Sequence, residues 1–217
     1  MTLLDFARGP GLQWALWIFV FGVTWRIVGA MFLMAKKDLS KARRKKHVAD
    51  GVRTIITRSV PAHSFEKRIR FQHISGYAWH FALFISVLFF APHILFFESL
   101  LGFSWPHLPN TIILFTAAAA TAILIALLFR RATHPVQRFI SNADDYISIF
   151  VVLIPLVTGI LAFAHVGARY ETLLAIHLLS VEAMLVWFPF GKLMHTAMTM
   201  PSRYQAGTSF GHRGIKA

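Results

Sequence analysis

Five long apolar segments constrain the fold of this chain more than any other feature. Of its 217 residues, 56% are hydrophobic and only 14% are charged, whereas soluble domains carry about 25% charged residues. The segments are Leu12–Met34, Phe71–Phe97, Thr111–Phe129, Tyr146–Ala164 and Leu173–Met200. Each can cross a bilayer as a helix of about 20 residues. The sequence therefore predicts an all-α integral membrane bundle of five transmembrane helices, forming a single domain over residues 1–217 of a cytoplasmic (inner) membrane protein.

The positive charges predict the orientation of these helices. Twelve of the 22 Lys and Arg residues lie in the loop at residues 35–70, and the opposite side of the membrane carries only Arg8 and Arg169. The positive-inside rule then places the N-terminus outside and the 201–217 tail in the cytoplasm. We interpret the net charge of +13 as a topology signal that contacts anionic lipid, and not as a nucleic-acid site. The basic loop is also suited to an acidic cytoplasmic partner.

The chain has no cysteine. It therefore cannot hold an iron–sulfur cluster or a thiolate metal site of its own. Any redox chemistry on this chain needs another cofactor, and a cluster relay must belong to a partner.

Histidines at two depths of the membrane point to haem. His177 and His195 lie 18 residues apart. On one continuous helix this is five turns and about 27 Å, which puts both rings on one face near opposite sides of a hydrocarbon core of about 30 Å. Imidazole is a common axial ligand of haem iron. We therefore expect two stacked b haems, the inner one held by His195 and by His73 from the second apolar segment.

The partner of His177 at the outer haem has two candidates. His93 lies 20 residues after His73 and matches in depth, but an ideal helix turns it about 200° away from His73. Pro92 could kink the helix and re-aim it. His80 shares a face with His73 but lies only about 10 Å further along the helix. We favour His93 and keep His80 as the alternative.

Three further residues are candidates for contact with a quinone. His165 and Arg169 follow the fourth segment, where they can bind a quinone carbonyl or lie at the interface as a histidine and a snorkelling arginine. Glu182 can take up protons from an oxidised quinol or form an ion pair with Arg26.

Three stretches resemble the gamma subunit of respiratory nitrate reductase and related quinone-linked cytochrome b subunits. The first is His177 followed by Phe188-Pro-Phe-Gly-Lys-Leu-Met-His195. The second is the basic run from Phe129-Arg-Arg to Asn142-Ala-Asp144, which leads into the fourth segment. The third is His73 early in the second segment. The family pattern has its other ligand of that segment ten residues after the first, where this chain has Leu83.

The resemblance implies a dihaem electron-transfer subunit, with His73, His177 and His195 as axial ligands. In such proteins a quinol is oxidised near the outer haem, and electrons pass inward to a cytoplasmic iron–sulfur subunit and a catalytic oxidoreductase subunit. The departure at Leu83 favours a relative that serves an oxidoreductase other than nitrate reductase. A single-haem anchor is the first alternative function, and a membrane anchor or transporter without a cofactor is the second.

Overall fold

The computed structural model describes residues 2–34, 39–43, 47–61 and 63–215. Within these residues every regular element is helical, which confirms the predicted fold class. The helices are α1 (Leu3–Phe6), α2 (Leu12–Met34), α3 (His47–Thr57), α4 (His63–Leu88), α5 (Ala91–Leu101), α6 (Asn110–Thr133), α7 (Pro135–Ile140), α8 (Ala143–Ala164), α9 (Tyr170–Trp187) and α10 (His195–His212). A π-helical segment, Ala7–Gly11, joins α1 to α2, and a 3₁₀ turn, Lys192–Met194, precedes α10.

Four helices of the described chain are long and apolar enough to cross a membrane. They are Leu3–Leu33, Asn110–Thr133, Ala143–Ala164 and Tyr170–Trp187. A bent pair, Ile69–Leu88 with Ala91–Leu101, brings the number to five if the pair forms one span. The described helices thus include four or five candidate membrane spans, as a multi-pass helical protein requires, but two of the five predicted spans are not continuous helices.

The second predicted span breaks between α4 and α5. Phe90 is extended there, and the axes of the two helices differ by 69°. Pro92 lies in the first turn of α5, where a proline has no helical hydrogen bond to lose. The loop after α5 supplies partners to the carbonyls at the break, since the Trp105 indole donates to the Leu88 carbonyl at 2.6 Å. The bend is therefore held by specific hydrogen bonds.

The fifth predicted span, Leu173–Met200, is wrong as a single helix. Helix α9 ends at Trp187, the Phe-Pro-Phe-Gly stretch forms a turn, and a new helix begins at His195. Pro189 cannot donate a backbone hydrogen bond, and Gly191 is extended. The missing backbone donor of Pro189 and the extended backbone of Gly191 end the helix, although the sequence there is still largely apolar. His177 and His195 therefore do not lie on one face of one helix.

The chain divides into two compact units, of which the first contains residues 1–16 and 70–187. In this unit α8 packs between α6 and α9. Asn142 caps α8, and its side chain and that of Asp145 form a reciprocal capping box. Asp145 also forms an ion pair with Arg131 of α6 at 3.0 Å. These contacts fix the ends of the helices that carry the candidate site.

The second unit contains residues 17–69 and 188–217. Helix α3 packs on α10, and glycines make the approach close, since a Cβ on Gly207 would lie 2.6 Å from the carbonyl oxygen of Asp50. The turn between α9 and α10 packs on α2, where the Pro189 ring is fully buried against Gly22. Helix α3 lies in the basic loop at residues 35–70, of which residues 35–38, 44–46 and 62 lie outside the described residues.

Candidate functional site

The structure brings His93 of α5 and His177 of α9 together. Their ring centroids lie 6.3 Å apart, and the ring planes differ by 18°. Both side chains are partly buried. Imidazole nitrogens bind transition metals at about 2 Å, so two rings on opposite sides of one ion would have centroids about 6 Å apart. The observed separation matches that of a bis-histidine metal site.

The bend between α4 and α5 fixes the His93 ring. Its Nδ1 lies 3.0 Å from the Val87 carbonyl oxygen, near the end of α4. The last carbonyls of a helix have no partner within it, so this one accepts a hydrogen bond from the ring N–H. With the proton on Nδ1, Nε2 keeps the lone pair that a metal requires. The break that re-aims His93 thus also selects its tautomer.

A hydroxyl network fixes the His177 ring. Its Nδ1 lies 3.2 Å from Thr158 Oγ1 of α8, and that hydroxyl donates its single proton to the Ile154 carbonyl at 2.8 Å. In this arrangement Thr158 accepts from His177 Nδ1, which leaves the lone pair on Nε2, and the Pro155 carbonyl is a further hydrogen-bond partner of the ring. The Ser180 hydroxyl lies 3.1 Å from Thr158 and donates to the His177 carbonyl at 2.6 Å. Metal-binding histidines characteristically have such a partner at the other ring nitrogen.

Small and aromatic residues shape the surroundings of the pair. A Cβ on Gly159 would lie 3.1 Å from Cε1 of His177, so glycine allows the ring to lie close to α8. Phe90 contacts the edge of the His93 ring, with centroids 5.1 Å apart, and packs on Phe163 of α8 at 5.7 Å. Two imidazoles in an apolar, aromatic environment fit a haem group better than a hydrated ion.

His80, the alternative partner of His177, lies on α4. Its Nδ1 donates to the Gly76 carbonyl at 2.6 Å, and its ring packs edge-on against Trp79. The contact that the structure gives to His177 comes from His93, which the sequence favoured.

The two residues predicted to hold the inner haem lie in different units. His73 is on α4, with its ring against Tyr77 at 4.8 Å. His195 begins α10, where its side chain is exposed and its Nδ1 lies 2.8 Å from the Lys192 carbonyl. Their pairing stays a prediction.

Glu182 is a buried carboxyl group on the face of α9 that packs against Ala7–Gly11. Its side chain is 7% exposed. A Cβ on Gly11 would lie 2.6 Å from Oε2, and Oε1 is buried without a hydrogen-bond partner among the described residues. A buried polar atom without a partner is uncommon in folded proteins, and a redox or catalytic role is one of its recognised causes. Glycine at position 11 is therefore what makes room for this carboxyl group.

The other two quinone candidates are exposed. His165 ends α8 in the left-handed conformation, with φ 56°, and its ring contacts Tyr170. Arg169 forms an ion pair with Glu171 at 3.7 Å, and both side chains are largely exposed. Such a pair contributes little stability.

Thr158, Gly159 and Ser180 contact the site but are not among the residues predicted from the sequence. The sequence does contain a signal for them, because small and hydroxyl residues interrupt the fourth and fifth apolar segments. Ser180, for example, lies three residues after His177. Only the packing of α8 on α9 shows that these interruptions meet at one histidine. Within the described part of the chain, no group of three or more His, Asp or Glu side chains could share a metal ion.

Comparison with known proteins finds a relative of similar length. A protein of Nitratidesulfovibrio vulgaris, named only "Protein", is 29% identical over 210 residues, which cover 94% of this chain and 92% of that one. No protein-family model matches the sequence.

Proposed function

We propose that this chain is a b-type cytochrome subunit that transfers electrons between the quinone pool and a cytoplasmic redox partner. The observation that carries the proposal is the 6.3 Å approach of the nearly parallel His93 and His177 rings, each with Nδ1 hydrogen-bonded. Haem b, when bound, would supply a one-electron carrier in the membrane. We place it at this pair and name it the outer haem, after the predicted topology.

Each residue of the pair has a defined role in this proposal. His93 and His177 would hold the haem iron through Nε2, while the Val87 carbonyl and Thr158 would keep the rings in the required tautomer. A hydrogen bond that the Nδ1 proton donates also makes the imidazole a stronger base. The protein thereby orients the ligands and sets the electron affinity of the site.

Glu182 is the proposed acceptor of a quinol proton. Oxidation of a quinol to a quinone releases two electrons and two protons, and the protons need acceptors near the site of oxidation. Glu182 lies five residues after His177 on the same helix, about 7.5 Å along its axis. Its unpartnered Oε1 supports this role. His165 and Arg169 remain candidates for contact with the quinone at the end of α8.

The inner haem, held by His73 and His195, completes the proposed path. Electrons would then leave toward a cytoplasmic iron–sulfur subunit and its catalytic subunit, in the manner of the nitrate reductase gamma-like family. On this proposal the chain is an electron-transfer subunit of a larger oxidoreductase in the inner membrane. The absence of cysteine from the sequence is in keeping with a cluster carried by another chain.

A single-haem cytochrome is the second candidate function. It is favoured by one observation, that the described contacts join only His93 and His177 among the predicted ligands. The ratio of haem to protein separates the two proposals.

Optical spectroscopy of the purified full chain tests the proposal. We expect a reduced α-band typical of low-spin b haem, with two haems per chain. His93→Ala and His177→Ala should each remove the same component of the spectrum. His107→Ala, in the loop after α5, is the matched control and should leave both. Folded protein without haem, or full haem content in both ligand variants, would refute the proposal.

A further inference from the structure

Helix α3 has one face packed on protein and one face that is apolar and exposed. Gly51 and Thr54 are buried against α10. Val48, Val52 and Ile56 are 53%, 53% and 69% exposed. A spacing of four residues puts these three side chains in one stripe along the helix. An apolar stripe beside a packed face needs an occupant that is itself apolar.

The path of the chain indicates what that occupant is. Helix α2, which crosses the membrane, ends at Met34, and the second span begins at Ile69. Helix α3 begins 13 residues after Met34 and ends 12 residues before Ile69, so the chain tethers both of its ends near the bilayer surface. Arg53 and Arg58 beside the stripe are exposed, and their charge complements anionic lipid headgroups. An amphipathic helix with basic flanks is the usual form of an interfacial helix.

We propose that α3 lies in the bilayer surface on the side of the basic loop, with Val48, Val52 and Ile56 inserted among the lipids. Its other face holds α10, so the helix pair forms a platform fixed to the membrane. Helices of this kind bury their apolar face by about 5–10 Å. The occupant is lipid because α3 is tethered to the bilayer by its own chain, whether or not another subunit is bound. This proposal does not depend on haem.

The absence of cysteine makes a direct test possible, since Val52→Cys creates the single thiol in the chain. The full chain carrying a nitroxide label there is placed in nanodiscs of zwitterionic and anionic phospholipid. Electron paramagnetic resonance then compares collisions with oxygen, which concentrates in lipid, and with a water-soluble nickel chelate. Arg53→Cys is the control, because the next residue points about 100° around the helix axis.

We expect the label at position 52 to collide with oxygen several-fold more often than with the nickel chelate. The label at position 53 should collide more often with the nickel chelate than with oxygen. Val48→Cys and Ile56→Cys should behave like position 52. These side chains point away from α10, so the variants should keep the helix pair, which helical content and elution volume can verify. If positions 52 and 53 are equally accessible to the nickel chelate, the stripe faces water and is left for a protein partner, and the proposal is wrong.

Discussion

Removal of the Thr158 hydroxyl tests whether the His177 network serves a metal ligand. Valine has nearly the shape of threonine but cannot accept a hydrogen bond. Thr158→Val therefore takes away the acceptor 3.2 Å from His177 Nδ1, while the ring keeps its packing against Gly159. The variant leaves the His177 ring with the Pro155 carbonyl as its remaining hydrogen-bond partner, so the ring is held less firmly in one orientation and one tautomer.

The expected size follows from the bonds that are lost. One neutral hydrogen bond contributes about 1 kcal/mol, roughly a fivefold change in an equilibrium. Loss of a partner behind a metal ligand lowers metal affinity about 10- to 100-fold, which corresponds to about 1.4–2.8 kcal/mol. We expect Thr158→Val to bind the outer haem about 10- to 100-fold more weakly, so that the variant loses haem when the protein is diluted. Its outer haem should also have a more positive midpoint potential, because a less basic imidazole stabilises ferric iron less.

A matched control separates this effect from damage to the helix. Thr121 of α6 makes the same backbone hydrogen bond, from Oγ1 to the Ala117 carbonyl at 2.8 Å, and is similarly half-buried. Thr121→Val should keep haem and potential. In both variants, a haem titration measures the haem affinity and a redox titration of the α-band measures the midpoint potential. If Thr158→Val retains haem as tightly as Thr121→Val and at an unchanged potential, the network has no part in ligand binding.

Four other substitutions have defined outcomes. Gly159→Ala places a Cβ 3.1 Å from the His177 ring and should shift the low-spin resonance signal of the haem; an unchanged signal would contradict the close approach. Gly22→Ala places a Cβ 2.6 Å from the proline of the Phe-Pro-Phe turn and should destabilise the protein by about 1–3 kcal/mol in detergent unfolding. Gly29→Ala, with nothing within 4 Å, should be neutral or stabilising, and equal effects would refute the packing argument. Glu182→Gln should keep haem but slow its reduction by a quinol analogue in stopped-flow measurements, and a wild-type rate would exclude Glu182 as the proton acceptor.

The helical fold with candidate membrane spans could be predicted from the sequence, because such a span is recognised by the total hydrophobicity of about 20 consecutive residues. The third and fourth predicted spans lie within α6 and α8. Local polar signals were also readable, since Asn142, just before the fourth predicted span, caps α8 in a capping box with Asp145. Such signals act over a few residues and need no tertiary contact.

The histidine pair shows the limit of arguments from helix periodicity. On a straight helix His93 points away from the face of His73, and only a break could re-aim it. Pro92 marked the possible position, but the 69° angle depends on hydrogen bonds from the loop after α5 to the end of α4. A turn this far from ideal geometry is set by partners that are distant in sequence.

The sequence by itself determined that the chain is helical, that it has several helices long and apolar enough to cross a membrane, and which histidines are candidates, because composition and short-range spacing encode these properties. Tertiary structure decided where the helices break and which histidines meet. The Phe-Pro-Phe turn is as apolar as the helix before it, so hydropathy cannot detect that α9 ends there. Its position depends on the burial of Pro189 against Gly22, a contact between residues far apart in sequence. Contacts of this kind exist only after the chain has folded, and they separate His195 from the helix that carries His177.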